Sequence, residues 1–207
     1  MSRARLPNKP TVEILGVDPG IHGGLAIVIL SDDASPQLVD AIDIPVTGTK
    51  AKERVDVAAL RSWIETHHPH HALIERAQAM PRQGVSSGFK YGRAVGAIEA
   101  TVAGCGVPLT ILDPRAWKQF HRLRGDDKEL SRQRALQLFP SAHALFTHRK
   151  DHGRAEAALI ALTAAALSFP FVRETCRGRT PHKPDETGVQ QKQQRTTPRR
   201  SRSTSRK

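Results

Sequence analysis

Ile14-Leu-Gly-Val-Asp-Pro-Gly-Ile-His-Gly-Gly-Leu-Ala26 is the segment from which the rest of the chain can be read. Val12–Val17 and Leu25–Leu30 are short, β-branched apolar runs. Pro19-Gly20 and Gly23-Gly24 lie between them, a composition that predicts two strands joined by a tight connection. A run that is otherwise Ile-Leu-Gly-Val places the acid Asp18 at the rim of a buried sheet. Gln37–Ile44 reads as a third strand, ended by Pro45 and Gly48. Lys52–Thr66 has helical spacing through Val55, Ala59, Leu60, Trp63 and Ile64. The histidine-rich break at 67–71 suits either a solvated turn or a metal ligand set, and Ala72–Glu75 is the next strand.

A helix is predicted over about Ser87–Ala103, a strand over Val107–Leu112, and helices over Pro114–Phe120, Lys128–Phe139 and Ala155–Leu167. The order implies an α/β fold, a mixed central sheet flanked by helices on both faces. Gly88, Gly92, Gly96, Ala100 and Gly104 recur every fourth residue in the first of these helices. Each glycine costs a helix interior about 1 kcal/mol relative to alanine. Close approach of another backbone, the sheet or a second subunit's helix, would offset that cost.

The 207 residues carry a net charge of +12, which points to a polyanionic partner. Residues 173–207 hold 11 Lys and Arg against 3 Asp and Glu, so the charge is concentrated at that end. The chain is expected to divide into an N-terminal arm (1–11), a folded domain (12–172) and a disordered basic tail (173–207). Cys105 and Cys176 lie far apart and make neither a disulfide framework nor a zinc site. No run of 18 apolar residues and no signal-like segment is present, so neither a membrane partner nor secretion is expected.

Four acids stand where chemistry could be done. Asp18 and Glu75 end strands, while Asp151 and Glu156 bracket the start of the last helix. Converging acids repel one another unless cations lie between them, and hard oxygen ligands suit Mg²⁺ or Mn²⁺. Two such ions can activate a water and stabilise a leaving oxygen in phosphodiester cleavage. Each acid also has an ordinary structural use: Asp18 in a turn, Asp151 as a helix cap, Glu156 as a helix-face charge. Glu156 fits that use least, because alanines flank it in the most apolar helix.

Four blocks together resemble RuvC-type Holliday junction resolvases, including the phage-like and bacterial relatives and the plant organellar resolvases. They are the 14–26 segment; Leu73-Ile-Glu-Arg-Ala-Gln-Ala-Met-Pro-Arg-Gln-Gly-Val-Ser-Ser-Gly-Phe89; Asp127-Lys-Glu-Leu-Ser-Arg-Gln-Arg-Ala135; and Lys150-Asp-His-Gly-Arg-Ala-Glu-Ala-Ala-Leu-Ile-Ala161. The resemblance spans roughly residues 12–168. It implies an RNase H-like fold, a homodimer, and two Mg²⁺ (or Mn²⁺) per active site, with paired nicking of a four-way junction in DNA recombination and repair. Asp18 and Glu75 match the first two acids and Glu156 the last. Asp151 fits the third, although it stands five residues from Glu156 where standard RuvC has three, and His152 is the alternative. In that arrangement Asp18 bridges both ions, Glu75 holds one, and Asp151 with Glu156 holds the other.

The aromatic that standard RuvC carries after its second acid is absent. Gln78 and Met80 stand there, which leaves Met80 or Phe89 to open the junction centre. Arg76, Arg82, Lys90 and Arg93, with Phe89 and Tyr91 among them, are expected against the DNA backbone. Arg122, Arg124, Lys128, Arg132 and Arg134 make a second basic cluster, and Lys118, also expected on DNA, stands near Trp117. Such an enzyme works on branched DNA rather than a small molecule, in the cytoplasm or nucleoid of a bacterium or in an organelle. Rival readings are an actin-like or sugar-kinase ATPase, for which this core is too short, a junction-binding protein that does not cut, and a RuvC-like nuclease on flaps, forks or RNA–DNA hybrids.

Overall fold

The computed structural model describes residues 11–31, 34–78, 84–125 and 127–167. The arm 1–10, Met80, Arg82 and the basic tail therefore lie outside the described residues.

Strands β1 (Val12–Asp18), β2 (Gly24–Leu30) and β3 (Gln37–Asp43) form an antiparallel meander. A small hairpin follows, β4 (Val46–Thr47) against β5 (Arg54–Val55), and then helix α1 (Val57–His67). Strand β6 (His71–Glu75), helix α2 (Val85–Gly104) and strand β7 (Leu109–Leu112) come next. Helices α3 (Pro114–Phe120), α4 (Lys128–Leu138) and α5 (His152–Thr163) complete the described fold, with 3₁₀ turns at Pro140–Phe146 and Arg149–Asp151 between the last two. The large sheet has the order β3-β2-β1-β6-β7, with β6 and β7 parallel to β1. This is the mixed, helix-flanked sheet of an RNase H-like fold.

The period-two pattern of β1 sorts its side chains into two cores. Val12 and Ile14, with Leu73 of β6 and Ala26 and Val28 of β2, pack under α5 and the residues leading into it. Leu15 and Val17, with Ala72, Ile74, Leu25 and Ile27, pack on the opposite face against Leu60 and Ile64 of α1 and Val102 and Ile98 of α2. Both faces are covered, which is why β1, β2 and β6 read as nearly continuous apolar runs.

Helix α5 lies directly on β1 and β2. Ala155 and Ala157 through Leu162 are all buried, and small residues let the backbones meet. A Cβ added to Gly16 would collide with the Ala157 carbonyl oxygen and lie 2.6 Å from Ala161 N. One added to Gly24 would lie 2.5 Å from Arg154 N. These glycines fix the seat of α5, and α5 carries Glu156.

Two sequence expectations change. The helix expected from Lys52 starts at Val57, because Asp56 caps it by accepting from Ala59 N, while Arg54–Val55 spend their backbone on β4. The glycine stripe of α2 does not face the sheet. A Cβ at Gly92, Gly96 or Gly104 would meet nothing within 4 Å, whereas Ala94, Val95, Ile98 and Val102 make the buried face.

Candidate active site

The register of β1 and β6 explains why two distant acids become neighbours. Gly16 pairs with Leu73 and Val17 with Ile74, so one further step along the parallel strands sets Asp18 beside Glu75. Alternation points Asp18 to the same side as Gly16, and Glu75 to the same side as Leu73, toward α5. Glu156 descends from α5 onto that edge, and all three acids line one cavity of about 410 Å³ with His22, Tyr91, Trp117, Lys118 and Lys128.

The cavity is electrostatically loaded. Burial, then Glu156 and then Glu75, push the Asp18 carboxyl well above its ordinary value, against a smaller opposing pull from Lys128. A side-chain interaction with Glu156 adds a smaller push in the same direction, as expected where like charges are crowded out of water. Glu75 is also raised, first by burial and further by Glu156, while a hydrogen bond from Trp117 opposes the shift. Tyr91 is raised by burial and by the nearby Asp18 and Glu75.

The second layer of contacts comes from α3 and α4. The Trp117 indole N–H donates to Glu75 Oε2 at 2.6 Å. The Ser131 hydroxyl donates to Glu156 Oε1 at 3.1 Å. Lys128, in the first turn of α4, reaches His152 Nε2 at 2.8 Å, while His152 Nδ1 lies 3.2 Å from the Arg149 carbonyl. The pairing is self-consistent for a neutral His152 that donates from Nδ1 and accepts at Nε2.

Asp151 does not join the three acids. Its side chain is 1% exposed and is held by Arg154 Nη2 at 2.5 Å and by His148 N at 2.8 Å, so it closes the turn before α5. Arg132 is likewise committed within the fold rather than presented to a ligand. It donates to Glu129 from Nε and Nη2 and to the carbonyl of Phe146, tying α4 to the 3₁₀ turn after it. Both placements have one cause: each side chain pairs with an opposite charge three residues away, and sequence spacing alone does not reveal that pairing.

The basic residues fall in two places. A groove of about 1190 Å³ adjoins the acidic cavity, sharing Glu75, Tyr91 and Lys118 with it, and is lined by Arg76, Arg115, Arg122 and Arg124. Lys90 and Arg93 line a different cavity, between α2 and the β4–β5 hairpin. Phe89 is 70% exposed near the start of α2. Arg115 was not anticipated, though a basic residue just inside a proline-initiated helix at a strand end was a usable signal. Lys128 was expected on DNA but stands at the acids themselves.

Among the described residues, no three His, Cys, Asp or Glu side chains are already closed around one point as a preformed metal site would be. The chemistry of the donor set nevertheless fits a hard divalent cation: clustered carboxylate oxygens, partly desolvated, whose repulsion a cation would relieve. No helix of the described residues is long and apolar enough to cross a membrane.

Two solved structures agree with this architecture. No curated protein matches the sequence. Among solved structures, Thermus thermophilus RuvC in complex with a Holliday junction substrate superposes with a TM-score of 0.56 at 17% identity, covering 76% of this chain and 97% of that one. T. thermophilus RuvC also matches in a second structure, with a TM-score of 0.53 at 16% identity over 75% of this chain and 96% of that one. The yeast mitochondrial Holliday junction resolvase Ydc2 gives 0.47 at 19% identity over 75% and 78%. The family model for crossover junction endodeoxyribonuclease RuvC matches residues 14–129, which include Asp18, Glu75 and Lys128 and stop short of Glu156. That match covers more than half of the sequence, and the chain belongs to the RuvC family.

Proposed function

We propose that this chain is a structure-selective endonuclease that resolves four-way DNA junctions by paired nicking, with Mg²⁺ or Mn²⁺ as cofactor. One observation carries the reading. Asp18, Glu75 and Glu156, from two strands and a helix far apart in sequence, meet in a single cavity that opens beside an arginine-lined groove. Negative charge next to a DNA path is counterproductive unless cations neutralise it, so a binding protein that does not cut would have no use for the cluster.

Asp18, Glu75 and Glu156 would hold the cations, with His152 beside them in place of Asp151. Bound divalent ions supply water activation and neutralise charge on the leaving oxygen of a phosphodiester. The protein's own groups do the rest. Ser131 fixes the rotamer of Glu156, and Lys128 brings a positive charge to the edge of the cavity, steadied by His152. Arg76, Arg115, Arg122 and Arg124 take backbone phosphates, which sets position rather than sequence preference. Phe89, exposed near the start of α2, would wedge into an opened junction centre.

The exposed face of α2 supports a homodimer. Val85 and Phe89 are exposed there, and Gly92 and Gly96 leave room for a second backbone. Two copies so joined would present two acidic cavities to opposing strands. The test is incubation with labelled four-way junction, fork, linear duplex and RNA–DNA hybrid, with Mg²⁺, Mn²⁺ or chelator. Symmetric paired nicks on the junction, dependent on the cation, are expected. Equal cutting of linear duplex would overturn the junction selectivity.

A further inference from the structure

Trp117 is the bulkiest fully buried side chain of the described residues, 0% exposed, on the inner face of α3. A tryptophan there fills space, as Leu or Phe would, but it also brings one polar atom that can only donate. Buried indole N–H groups require a partner, and this one donates to Glu75 Oε2 at 2.6 Å, across 42 residues of sequence. Helix α3 is anchored for this geometry. Asp113 caps it by accepting from Arg115 N, and His121 at its far end packs on α5, with Nε2 at 2.7 Å from the Leu159 carbonyl. The indole is thus held from both ends of a short helix, with its N–H at one oxygen of the Glu75 carboxylate.

We propose that Trp117 is a positioning residue for Glu75: its N–H holds one carboxylate oxygen so that the other faces the cavity and the divalent cation. This rests on Glu75 being a cation ligand, as proposed above. Partners of this kind typically contribute about 10–100-fold in metal affinity or activity. A space-filling role alone contributes nothing to metal affinity once the ring shape is kept.

The experiment therefore keeps the shape and removes the proton. Site-specific incorporation of benzothienylalanine at position 117 replaces the indole N–H by sulfur with almost no change in volume, and Trp117→Phe provides a genetically simpler second variant. Mn²⁺ binding is measured directly on the full-length protein, from the fall in free-ion electron paramagnetic resonance signal, alongside thermal unfolding and junction affinity in chelator. The expected result is at least about tenfold weaker Mn²⁺ binding in the sulfur analogue, with thermal midpoint and junction affinity unchanged. The same rank order is expected in Trp117→Phe after any loss of stability is allowed for, and Trp63→Phe should bind Mn²⁺ normally. Mn²⁺ binding by the sulfur analogue within twofold of wild type would overturn the positioning role. Wild-type Mn²⁺ affinity in Glu75→Gln would instead overturn the ligand assignment on which it rests, so the two failures are distinguishable.

Discussion

Gly16→Ala tests whether the seat of α5 determines the site. The added methyl would lie 2.6 Å from Ala161 N, 2.9 Å from Ala161 Cβ, and nearer still to the Ala157 carbonyl oxygen. Real Cβ contacts essentially never fall below 3.0 Å, and the offending atoms are helix backbone and an alanine Cβ, none of which a rotamer change can move. Helix α5 must therefore shift bodily, and Glu156 with it. Overpacking of this kind costs about 1–3 kcal/mol even when side chains can yield, so the upper end, about 3 kcal/mol, is the expectation here. At about 2–4 °C per kcal/mol for a domain of this size, the thermal midpoint should fall by about 6–12 °C. A displacement on the order of 1 Å at a reacting centre costs about 10²-fold in rate. Thermal unfolding by circular dichroism, with single-turnover junction cleavage well below the new midpoint, checks both numbers. A variant with a midpoint within 2 °C of wild type and full nicking rate would show that α5 is not seated as described.

Asp18→Asn should stabilise the metal-free protein near neutral pH. The folded Asp18 carboxyl sits above its ordinary value of 3.8, so the native state holds the proton more tightly than the unfolded chain. Stability from this group is present at low pH and is lost as pH rises through the raised folded value. The Asn variant should lack that decline in urea titrations across pH, and a variant as pH-dependent as wild type would count against it. Arg122 adopts φ 58 in the turn that ends α3, where Leu123 N donates to the Lys118 carbonyl. Glycine favours this position, so Arg122→Gly should raise stability by up to about 1 kcal/mol. The same change should weaken junction binding and reduce its salt slope by about one, if the side chain is kept for a phosphate. An unchanged slope would remove it from the DNA path. Gly96→Leu should leave the monomer fold intact, since nothing lies within 4 Å of the new Cβ, yet yield a monomer by light scattering. A stable dimer would place the subunit contact elsewhere.

The strands and the acids at their ends were legible because burial writes itself into alternation. Val12–Asp18 is a run whose only charged members are Glu13 and the terminal Asp18, and Ala72–Ile74 is an apolar run closed by Glu75. Glu156 was legible for the same reason, as a charge stranded among alanines. What could not be read was partner choice. Asp151 reads in sequence as a fourth acid beside the same helix start, but Arg154, three residues after it, pairs with it. Arg132 is lost to Glu129 in the same way, one helical turn away. The indole of Trp117 reaching Glu75 depends on where α3 is set down beside β6, a tertiary distance that no local period encodes.

Single-turnover cleavage of a preassembled four-way junction by Asp18→Asn, Glu75→Gln and Glu156→Gln, in saturating Mg²⁺ and with junction affinity measured in parallel, addresses the shared role of the three carboxylates most directly. Each variant should bind the junction at least as tightly as the unaltered protein and leave both strands uncut. A normal nicking rate in any one of them would remove that carboxylate from the chemistry, and normal rates in all three would end the account.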